Sequence, residues 1–599
     1  MKIFHKSAYL FGAGFLMCGL LMAQDRVVIR GGTLVNVRDG KLTPDATIVV
    51  EGDRIVSVSP GGASPQGATV INAAGKYIIH GLIELHSHYK DWVAELFLNY
   101  GVTTVVDLGA PHEWIQAQKE GIEKGFVPGP RLFAGAYNYD GPEDSEEEVT
   151  EWTARPYVHT VTKPEDAMAA LEPFIQGPSK VDSIKVLENL SEPTLRAIVR
   201  EARKGNLPVI GHFKDVRVAI AAGANGIEHL NSVAYAILDT RLSQEARAKL
   251  RPGVAINNTA FIDVKQLPGV IQLMVKNNAY LNPTLLVGWT AANAVREKFS
   301  HEAFDLLFNN WRLRYVPLSW RLALLKEYQE VGLWHWADLT PYEKDLYEKG
   351  YQNAQLIVKT FAEAGGKLYT GTDCAGGCTP GLGTHQEMEM IADSGAGPLP
   401  ALQSATINSA ELMRMADRLG TIEAGKAGDV VILDANPLED IRNTRKIFRV
   451  ISRGRVLDGQ YHPEFENPLP RNEWEDTGHM FPSPELRWAT PAAVVEGSMG
   501  TSLTVRGTGF LPYSIIRFNG HKLKTTFLSR YELRTELPDR LLVPGTYNVD
   551  VENPDFASGT TVGPAYLYPL GIRSNISNPF LVLVKPKGGA PIHPHPREK

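Results

Sequence analysis

Short apolar runs with strand character alternate with amphipathic stretches through the middle of this sequence, and this repetition limits the folds that the chain can adopt. The runs include residues 103–109 (TTVVDLG), 207–212 (LPVIGH) and 367–373 (KLYTGTD), and residues 192–205 (EPTLRAIVREARKG) have helical periodicity. Strands that alternate with helices form parallel sheets, because a parallel connection needs a crossover segment. The length of the repetition suits an α/β fold of the TIM-like (β/α)8 barrel type.

Segments rich in short strands flank this central region on both sides. Valine, isoleucine and threonine alternate with polar residues and glycine-containing turns from Val27 to about Ile79, and similar patterns return at residues 425–433 and 447–457. Such alternation is typical of short antiparallel strands. Because the two segments bracket the strand–helix region, we expect them to form a composite β-sandwich built from both flanks.

The last part of the sequence changes character once more. A run rich in proline and glutamate at residues 462–490 is followed by short strand-like phrases with glycine and proline turns, such as TVRGTGF, IIRFNG and PGTYNVDVENP. The pattern indicates a second β-sandwich, and the phrases resemble those of immunoglobulin-like IPT/TIG domains. The expected division is a signal peptide at 1–23, a composite β-sandwich at 24–80 and 420–465, a barrel at 81–419, a linker at 466–488, an IPT/TIG-like domain at 489–583 and a disordered tail at 584–599.

The amino-terminal segment and the charge balance bear on location and partners. Residues 1–23 carry Lys2 and Lys6, then a short apolar run, then Ala23, which is typical of a secretory signal peptide, with an uncleaved membrane anchor as the alternative. We expect a periplasmic or secreted protein with no stable membrane span after cleavage. The 61 Lys and Arg residues against 67 Asp and Glu give a net charge of −6 without a basic stripe, which argues against a nucleic-acid partner.

Histidines stand at the ends of several of the strand-like runs. His86 and His88 end the run GLIELHSH two residues apart, so both imidazoles can lie on one face of a strand. His212, His229 and Asp373 each end another run. The carboxyl ends of the strands meet at one rim of a barrel, where active sites assemble. Four histidines and an aspartate at this rim predict a metal site, although each residue alone is compatible with a structural role.

Lys185 interrupts the apolar run DSIKV. Burial lowers the pKa of a lysine, and the neutral amine can react with carbon dioxide to give a carbamate, which is an anionic ligand able to bridge two metals. A lysine that extends to the strand end or pairs with a carboxylate is the alternative, and Lys185 taken alone favours that alternative.

The ordered set GLIELHSH, GVTTVVDLG, GPRLFAGA, DSIKV, NPTL and TGTD resembles the amidohydrolase superfamily over about residues 27–460. The greatest similarity is to its imidazolonepropionase-like branch, with metal-dependent dipeptidases of the prolidase type. The resemblance implies two divalent metal ions, with zinc as the expected metal. The implied roles are ligands to the more buried ion for His86 and His88, a carboxylated bridge for Lys185, ligands to the second ion for His212 and His229, a ligand and general acid/base for Asp373, and a substrate contact for His385.

Two departures from the family pattern affect what can be inferred. The usual Pro-Gly-Leu-Ile-Asp entry to the first strand reads His80-Gly81-Leu82-Ile83-Glu84 here, which leaves the ligands untouched. Long segments follow Asn231 and Gly288 where substrate loops would lie, so the substrate is left open. Cys374 and Cys378 directly follow Asp373 and are compatible with a disulfide or with two thiols.

These features predict a metal-dependent hydrolase that cleaves amide-type C–N bonds of small substrates, such as dipeptides or N-acyl amino acids, with a metal-bridging hydroxide. A mononuclear ring-opening hydrolase or deaminase of the same superfamily would not need Lys185, and a lactonase could use the same centre. A non-catalytic secreted binding scaffold is the alternative from another class. The expected partner is a small-molecule substrate, and the sequence leaves a homo-oligomer open.

Overall fold

The computed structural model describes most of the chain between residues 26 and 587. The residues within this span that it does not describe are 63–64, 136, 143–157, 178, 252–253, 255, 318–319, 322–338, 374–377, 464–466, 468, 470–483, 499, 509, 511–513, 530 and 553–578. The predicted signal peptide at 1–23, most of the predicted linker, Cys374 and most of the predicted tail therefore lie outside the described residues.

The strands fall into three groups along the chain. The amino-terminal flank contains β1 (Arg26–Val35), β2 (Leu42–Glu51), β3 (Arg54–Pro60), β4 (Thr69–Asn72) and β5 (Tyr77–His80). The central region contains β6 (Leu82–Ser87), β7 (Val102–Asp107), β8 (Arg131–Ala134), β9 (Asn138–Asp140), β10 (Val158–Thr160), β11 (Ile184–Val186), β12 (Val209–Gly211), β13 (Gly226–Glu228), β14 (Tyr280–Asn282) and β15 (Lys367–Leu368). The remainder contains β16 (Val430–Leu433), β17 (Ile447–Ser452), β18 (Arg455–Val456), β19 (Glu485–Thr490), β20 (Ala493–Val495), β21 (Thr501–Thr508), β22 (Ile515–Phe518), β23 (His521–Lys522), β24 (Thr525–Ser529), β25 (Glu532–Leu537), β26 (Gly545–Glu552) and β27 (Phe580–Lys585).

The described α-helices lie in the central region, between and after its strands. They are α1 (Ala94–Asn99), α2 (His112–Glu123), α3 (Asp166–Ile175), α4 (Glu192–Lys204), α5 (Val216–Ala222), α6 (Asn231–Ala236), α7 (Thr240–Arg247), α8 (Leu267–Lys276), α9 (Leu285–Trp289), α10 (Arg296–Phe304), α11 (Pro341–Glu363), α12 (Leu382–Ile391), α13 (Pro398–Ser404) and α14 (Ile407–Leu412). Among these described helices, none has the length and apolar character needed to cross a membrane.

The two flanks of the chain meet in one eight-stranded sheet. Its order is β18-β17-β16-β5-β1-β2-β3, with β4 beside β1, and β5 pairs with β16 in antiparallel register so that His80 lies opposite Val430. Side chains alternate across a strand, so Ile78 and Val430 pack within the flank while Ile79 and Val431 join the main core. The sheet is thus attached through one of its faces to the central region.

The central region consists of parallel strands and helical crossovers, as the sequence pattern predicts. Strands β6-β7-β8 form one parallel sheet, and β10-β9-β11-β12-β13-β14-β15 form another. Backbone hydrogen bonds also join the two sheets, from Leu85 N to Thr370 O (2.9 Å) and from Asp182 N to Ala134 O (2.9 Å). The carboxyl ends of these strands, where the loops to the helices begin, carry the candidate site residues.

The carboxyl-terminal strands form two packed sheets. Strands β19-β21-β25-β24 make up one sheet and β20-β27-β26-β22-β23 the other. A separate core contains residues of both, including Leu503 and Leu533 from the first and Ile516 and Val549 from the second. This is the two-layer arrangement of an immunoglobulin-like sandwich. Its first strand begins at Glu485 and so overlaps the predicted linker at residues 466–488.

The Trp-rich segment after Gly288 is largely packed where the structure describes it. Trp289 and Trp320 are 3% and 1% exposed, and the Trp320 ring lies edge-on to the Trp92 ring at 5.1 Å. Trp311 is the exception, with 64% of its surface exposed. Trp289 and Trp320 therefore contribute to the core of the central region.

His80, at the end of β5, should make the free energy of unfolding depend on pH. The ring is fully buried, with Nδ1 2.7 Å from Gly81 O and Nε2 accepting from Gly420 N at 3.1 Å. Burial lowers its pKa from 6.5 to about 4. As the pH falls from about 6.5 to about 4, the unfolded chain binds a proton that the folded chain does not, so the free energy of unfolding falls.

Exchanging His80 for Gln removes this linkage and keeps an acceptor for Gly420 N. We expect the wild type to lose up to about 3 kcal/mol relative to His80→Gln between pH 6.5 and 4, with no change in the difference above pH 7. Urea denaturation of both proteins across this range measures the difference. Parallel pH curves for the two proteins would contradict the assignment.

Candidate metal centre

His86 and His88 meet Asp373 at the end of β6. His88 Nε2 lies 3.0 Å and His86 Nε2 lies 3.4 Å from Oδ1 of Asp373, and the Asp373 backbone N donates to His86 O at 2.8 Å. Both imidazoles are at least nine-tenths buried. The chain that follows β15 therefore brings a carboxylate to the histidine pair predicted from GLIELHSH.

His212 and His229 complete the group from the ends of β12 and β13. Their Nε2 atoms are 3.0 Å apart, and His229 Nε2 lies 3.6 Å from Oδ2 of Asp373. His86, His229 and Asp373 each offer one ligand atom, and these atoms lie within 4.8 Å of one another. The structure thus brings together all four histidines and the aspartate that the sequence places at strand ends.

Lys185 is the middle residue of β11 and is 2% exposed. Within the described part of the chain its Nζ has no hydrogen-bond partner. Burial lowers the pKa of Lys185, although the negative charges of Glu228 and Asp373 oppose that shift. An unpaired buried amine is costly, so this position is suited to a chemically changed lysine or to a bound ligand.

The electrostatics of the group favour an ionised carboxylate at Asp373 and neutral imidazoles at His212 and His229. Burial would raise the pKa of Asp373, but His86, His88 and His229 hold it well below its usual range. Burial lowers the pKa of His212 far below 6.5, and the neighbouring Lys185 adds to this effect. Burial likewise lowers the pKa of His229 to about 4. Neutral imidazole and ionised carboxylate are the forms that bind metal ions.

Backbone conformation at this rim is unusual for residues other than glycine. His229, Thr284 and Asp373 have φ values of 61°, 42° and 53°. Residues with side chains seldom occupy this left-handed region, and for a β-branched threonine it is a true outlier. Strain of this kind concentrates at functional sites.

Glu228 is a site residue that the sequence reasoning missed. Its buried carboxylate lies 2.7 Å from His86 Nδ1 and accepts from Asn282 Nδ2 (2.7 Å) and Tyr369 OH (2.9 Å). Burial would raise its pKa, but His86 and Lys185 lower it to about 2. A carboxylate on the second imidazole nitrogen orients a histidine ligand. The available signal was an acidic residue directly before His229 in a buried strand.

Glu84 and Glu387 are two further buried carboxylates near the group. Glu84, two residues before His86, accepts from Thr372 N (2.6 Å) and Thr384 Oγ1 (2.9 Å), and burial raises its pKa to about 8. Burial also raises the pKa of Glu387 to about 7. Glu84 was visible in the sequence as a departure from the family pattern, whereas Glu387 was not assigned a role.

His385 lies on α12 and does not join the histidine group. Its Nδ1 is 2.8 Å from Thr444 Oγ1, and its Nε2 is 2.8 Å from the backbone oxygen of Tyr100. Both ring nitrogens are therefore engaged in contacts that tie α12 to neighbouring segments. The substrate contact expected for His385 receives no support from this geometry.

Of the two cysteines that follow Asp373, the structure describes Cys378. Cys378 is buried and takes part in a disulfide, and Cys374 lies outside the described residues. The disulfide removes Cys378 from consideration as a thiolate ligand.

Comparison with known proteins gives the family. The model of the amidohydrolase family matches residues 77–457, which is well over half of the chain, and that of the IPT/TIG domain matches residues 490–568. The chain belongs to the amidohydrolase family. As an amidohydrolase it is a metal-dependent hydrolase of carbon–nitrogen bonds with a TIM-barrel-like α/β fold, followed by an IPT/TIG domain.

Solved structures agree with this fold. A prolidase complexed with N-methylphosphonate-L-proline is 22% identical, with a TM-score of 0.51 and coverage of 73% of this chain and 100% of the prolidase. A putative prolidase from Bifidobacterium longum is 22% identical, with a TM-score of 0.52 and coverage of 75% and 98%. Molinate hydrolase is 19% identical, with a TM-score of 0.50 and coverage of 73% and 95%.

A curated relative matches over a shorter stretch. Adenine deaminase 2 of Jannaschia sp. (strain CCS1) is 28% identical over 118 residues, which are 19% of this chain and 16% of the deaminase. The chain thus matches only a small part of that relative's length.

Gly371 packs so closely against His86 that no side chain fits there. A Cβ at Gly371 would lie 2.4 Å from His86 Cβ and 2.6 Å from Asn282 Nδ2. Gly371→Ala should therefore displace the His86 strand and destabilise the fold by roughly 1–3 kcal/mol, as overpacking does, with loss of bound metal. Gly269→Ala on α8, where nothing lies within 4 Å, is the matched control. Thermal unfolding and elemental analysis of both variants test this, and full metal content in Gly371→Ala would contradict it.

Proposed function

We propose that this amidohydrolase holds two divalent metal ions, with zinc as the expected metal, and cleaves amide-type C–N bonds in small substrates. The proposed ligands are His86, His88, carboxylated Lys185, His212, His229 and Asp373. The observation that carries the proposal is the buried Nζ of Lys185, which has no hydrogen-bond partner among the described residues and lies near a converged group of four histidines and one carboxylate.

The donor set fits such ions. Imidazole nitrogen and carboxylate oxygen suit zinc, and Glu228 already fixes the second nitrogen of His86. Carbamate formation on Lys185 would join its neutral Nζ to the carbon of carbon dioxide with loss of one proton from the nitrogen. The resulting anion would balance the charge of the bound cations, at a position where the unmodified amine has no hydrogen-bond partner among the described residues.

The chemistry divides between the metals and this chain's own groups. Bound divalent ions supply an acidified water and polarise a scissile carbonyl. Asp373, ionised and bordered by His86, His88 and His229, can accept the proton of that water at its carboxylate. The same carboxyl group can return the proton to the departing amine nitrogen, which must be protonated to leave.

For the substrate we propose dipeptides or N-acyl amino acids. Support comes from the similarity to prolidases, one of which is solved with N-methylphosphonate-L-proline. A mononuclear deaminase or ring-opening hydrolase is the second candidate, which the match to adenine deaminase 2 favours. Metal stoichiometry separates the two, because the second candidate does not need Lys185.

Barrel closure, the form of the flank sheet and the location of the protein are further proposals. We propose that the two parallel sheets of the central region close into one (β/α)8 barrel, supported by the hydrogen bond between Leu85 N and Thr370 O. The shared flank sheet would fold over its own apolar core as a composite sandwich. We also propose that the protein acts in the periplasm or outside the cell after removal of residues 1–23.

Lys185 gives the direct test of the two-metal centre. We expect about two metal ions per chain in the wild type and at most about one in Lys185→Ala, because the bridging anion is lost. Elemental analysis of proteins prepared with bicarbonate measures this, and ¹³C NMR after labelling with ¹³C-bicarbonate should show a carbamate carbon in the wild type alone. Lys119→Ala, which removes the half-buried partner of Asp182, is the control. Two ions in Lys185→Ala would overturn the bridge.

Asp373 gives the test of the proton transfer. Asp373→Asn keeps the side-chain shape but cannot take a proton, so turnover of a dipeptide or N-acyl amino acid should fall roughly 10²- to 10⁴-fold. A screen of such substrates identifies the one to use. kcat and KM are then each measured for the wild type and for Asp373→Asn. Unchanged kcat in Asp373→Asn would exclude Asp373 as the acid/base group.

A further inference from the structure

The ring of His229 is held from behind by Thr284. Nδ1 of His229 lies 2.6 Å from Oγ1 of Thr284, while its Nε2 faces His212 and Asp373. A hydroxyl that accepts from Nδ1–H leaves the lone pair of the ring on Nε2. With the Thr284 hydroxyl as acceptor, the free lone pair of His229 lies on Nε2, which faces His212 and Asp373.

Thr284 occupies a strained conformation, with φ 42° and ψ 50°. This conformation turns the chain sharply between β14 and α9, and the turn is what aims the hydroxyl at His229. A β-branched residue does not remain there unless its surroundings fix it. The contacts that fix the turn are therefore relevant to the orientation of His229.

Glu387 supplies the main contacts on one side of the turn. From α12, its buried carboxylate accepts from Leu285 N through Oε1 (2.8 Å) and from Leu286 N through Oε2 (2.7 Å). These are the two peptide groups that directly follow Thr284. Both oxygens are used, so the carboxylate clamps the turn at two points.

Asn282 supplies the contacts on the other side. Its Oδ1 accepts from Thr284 N (3.3 Å) and from Gly371 N (3.2 Å), and its Nδ2 donates to Glu228 Oε2 (2.7 Å). Since Glu228 also contacts His86, one hydrogen-bonded network supports the rear nitrogens of both His86 and His229. In this network His86 is supported directly by a carboxylate and His229 through a hydroxyl.

We propose that Thr284 and Glu387 are positioning residues for His229: the carboxylate of Glu387 fixes the strained turn, and the Thr284 hydroxyl fixes the ring. The inference rests on the proposed role of His229 as a metal ligand. It assigns a role to Glu387, which lies on α12, whereas none of the proposed ligands lies on that helix.

The test compares four variants of the full chain. Thr284→Val keeps the branched shape and removes the hydroxyl, whereas Thr284→Ser keeps the hydroxyl. Glu387→Gln puts an NH₂ group against one of the two peptide N–H donors. Glu343→Gln is the matched control, because Glu343 is also buried and also holds a helix start, through Thr340 N and Arg251, but belongs to no part of this network.

The readouts are zinc retained against a chelator, the visible absorption spectrum of the Co²⁺-loaded protein, and thermal unfolding of the metal-free protein. We expect Thr284→Val and Glu387→Gln to lose roughly 10- to 100-fold in metal affinity with an altered Co²⁺ spectrum. Thr284→Ser should keep the metal affinity within a few-fold of the wild type and keep the wild-type Co²⁺ spectrum. Glu343→Gln should unfold at a lower temperature and keep the affinity and spectrum of the wild type.

Two failures are distinguishable. Wild-type protein that retains no metal would overturn the proposed function itself. Wild-type protein that retains metal, alongside Thr284→Val or Glu387→Gln variants with unchanged affinity and spectrum, would overturn the positioning role alone. A loss in Glu343→Gln equal to that in Glu387→Gln would also overturn it, because the effect would then follow from stability.

Discussion

The contact between Asp373 and the histidines at the end of β6 is the constraint on which the rest of the site depends. A carboxylate and several imidazoles are brought out of water together, and each would be costly to bury alone. The backbone bond from Asp373 N to His86 O joins the chain after β15 to β6 at the point where their functional side chains meet. Metal chemistry at this rim requires that approach, since residues almost 300 positions apart in the sequence supply the donors.

Close backbone approach restricts which residues can surround the donors. A side chain at Gly109 would lie 2.7 Å from the His88 ring, and one at Gly371 would meet His86. The left-handed conformations of His229, Thr284 and Asp373 are a second consequence. Where these strands end, the backbone leaves the extended conformation so that the functional groups point toward one another. Buried hydrogen bonds around these residues compensate for the strain.

Much of the fold, and the convergence of the four histidines with Asp373, could be predicted from the sequence because their signals are local. Strand–helix alternation gave the α/β architecture, and polar residues at the ends of apolar runs gave His86, His212 and Asp373. The supporting residues could not be found in this way. Glu228 contacts His86 and Glu387 contacts Leu285, each more than 100 positions away in the sequence, so only the folded chain shows these contacts. For His385, a motif likewise cannot show that Thr444 and Tyr100 contact its two ring nitrogens.

Glu389 shows how the segments beyond a minimal barrel are tied to the site. This buried carboxylate on α12 pairs with Lys298 of α10, and with Arg442 (3.1 Å) and Arg445 (2.7 Å) of the turn before β17. A buried carboxylate without its cations would be strongly destabilising, so α10 and the flank are each held against α12. The same helix carries Glu387 two residues earlier. The ion pairs of Glu389 therefore stabilise α12, the helix from which Glu387 holds the turn at Thr284 next to His229.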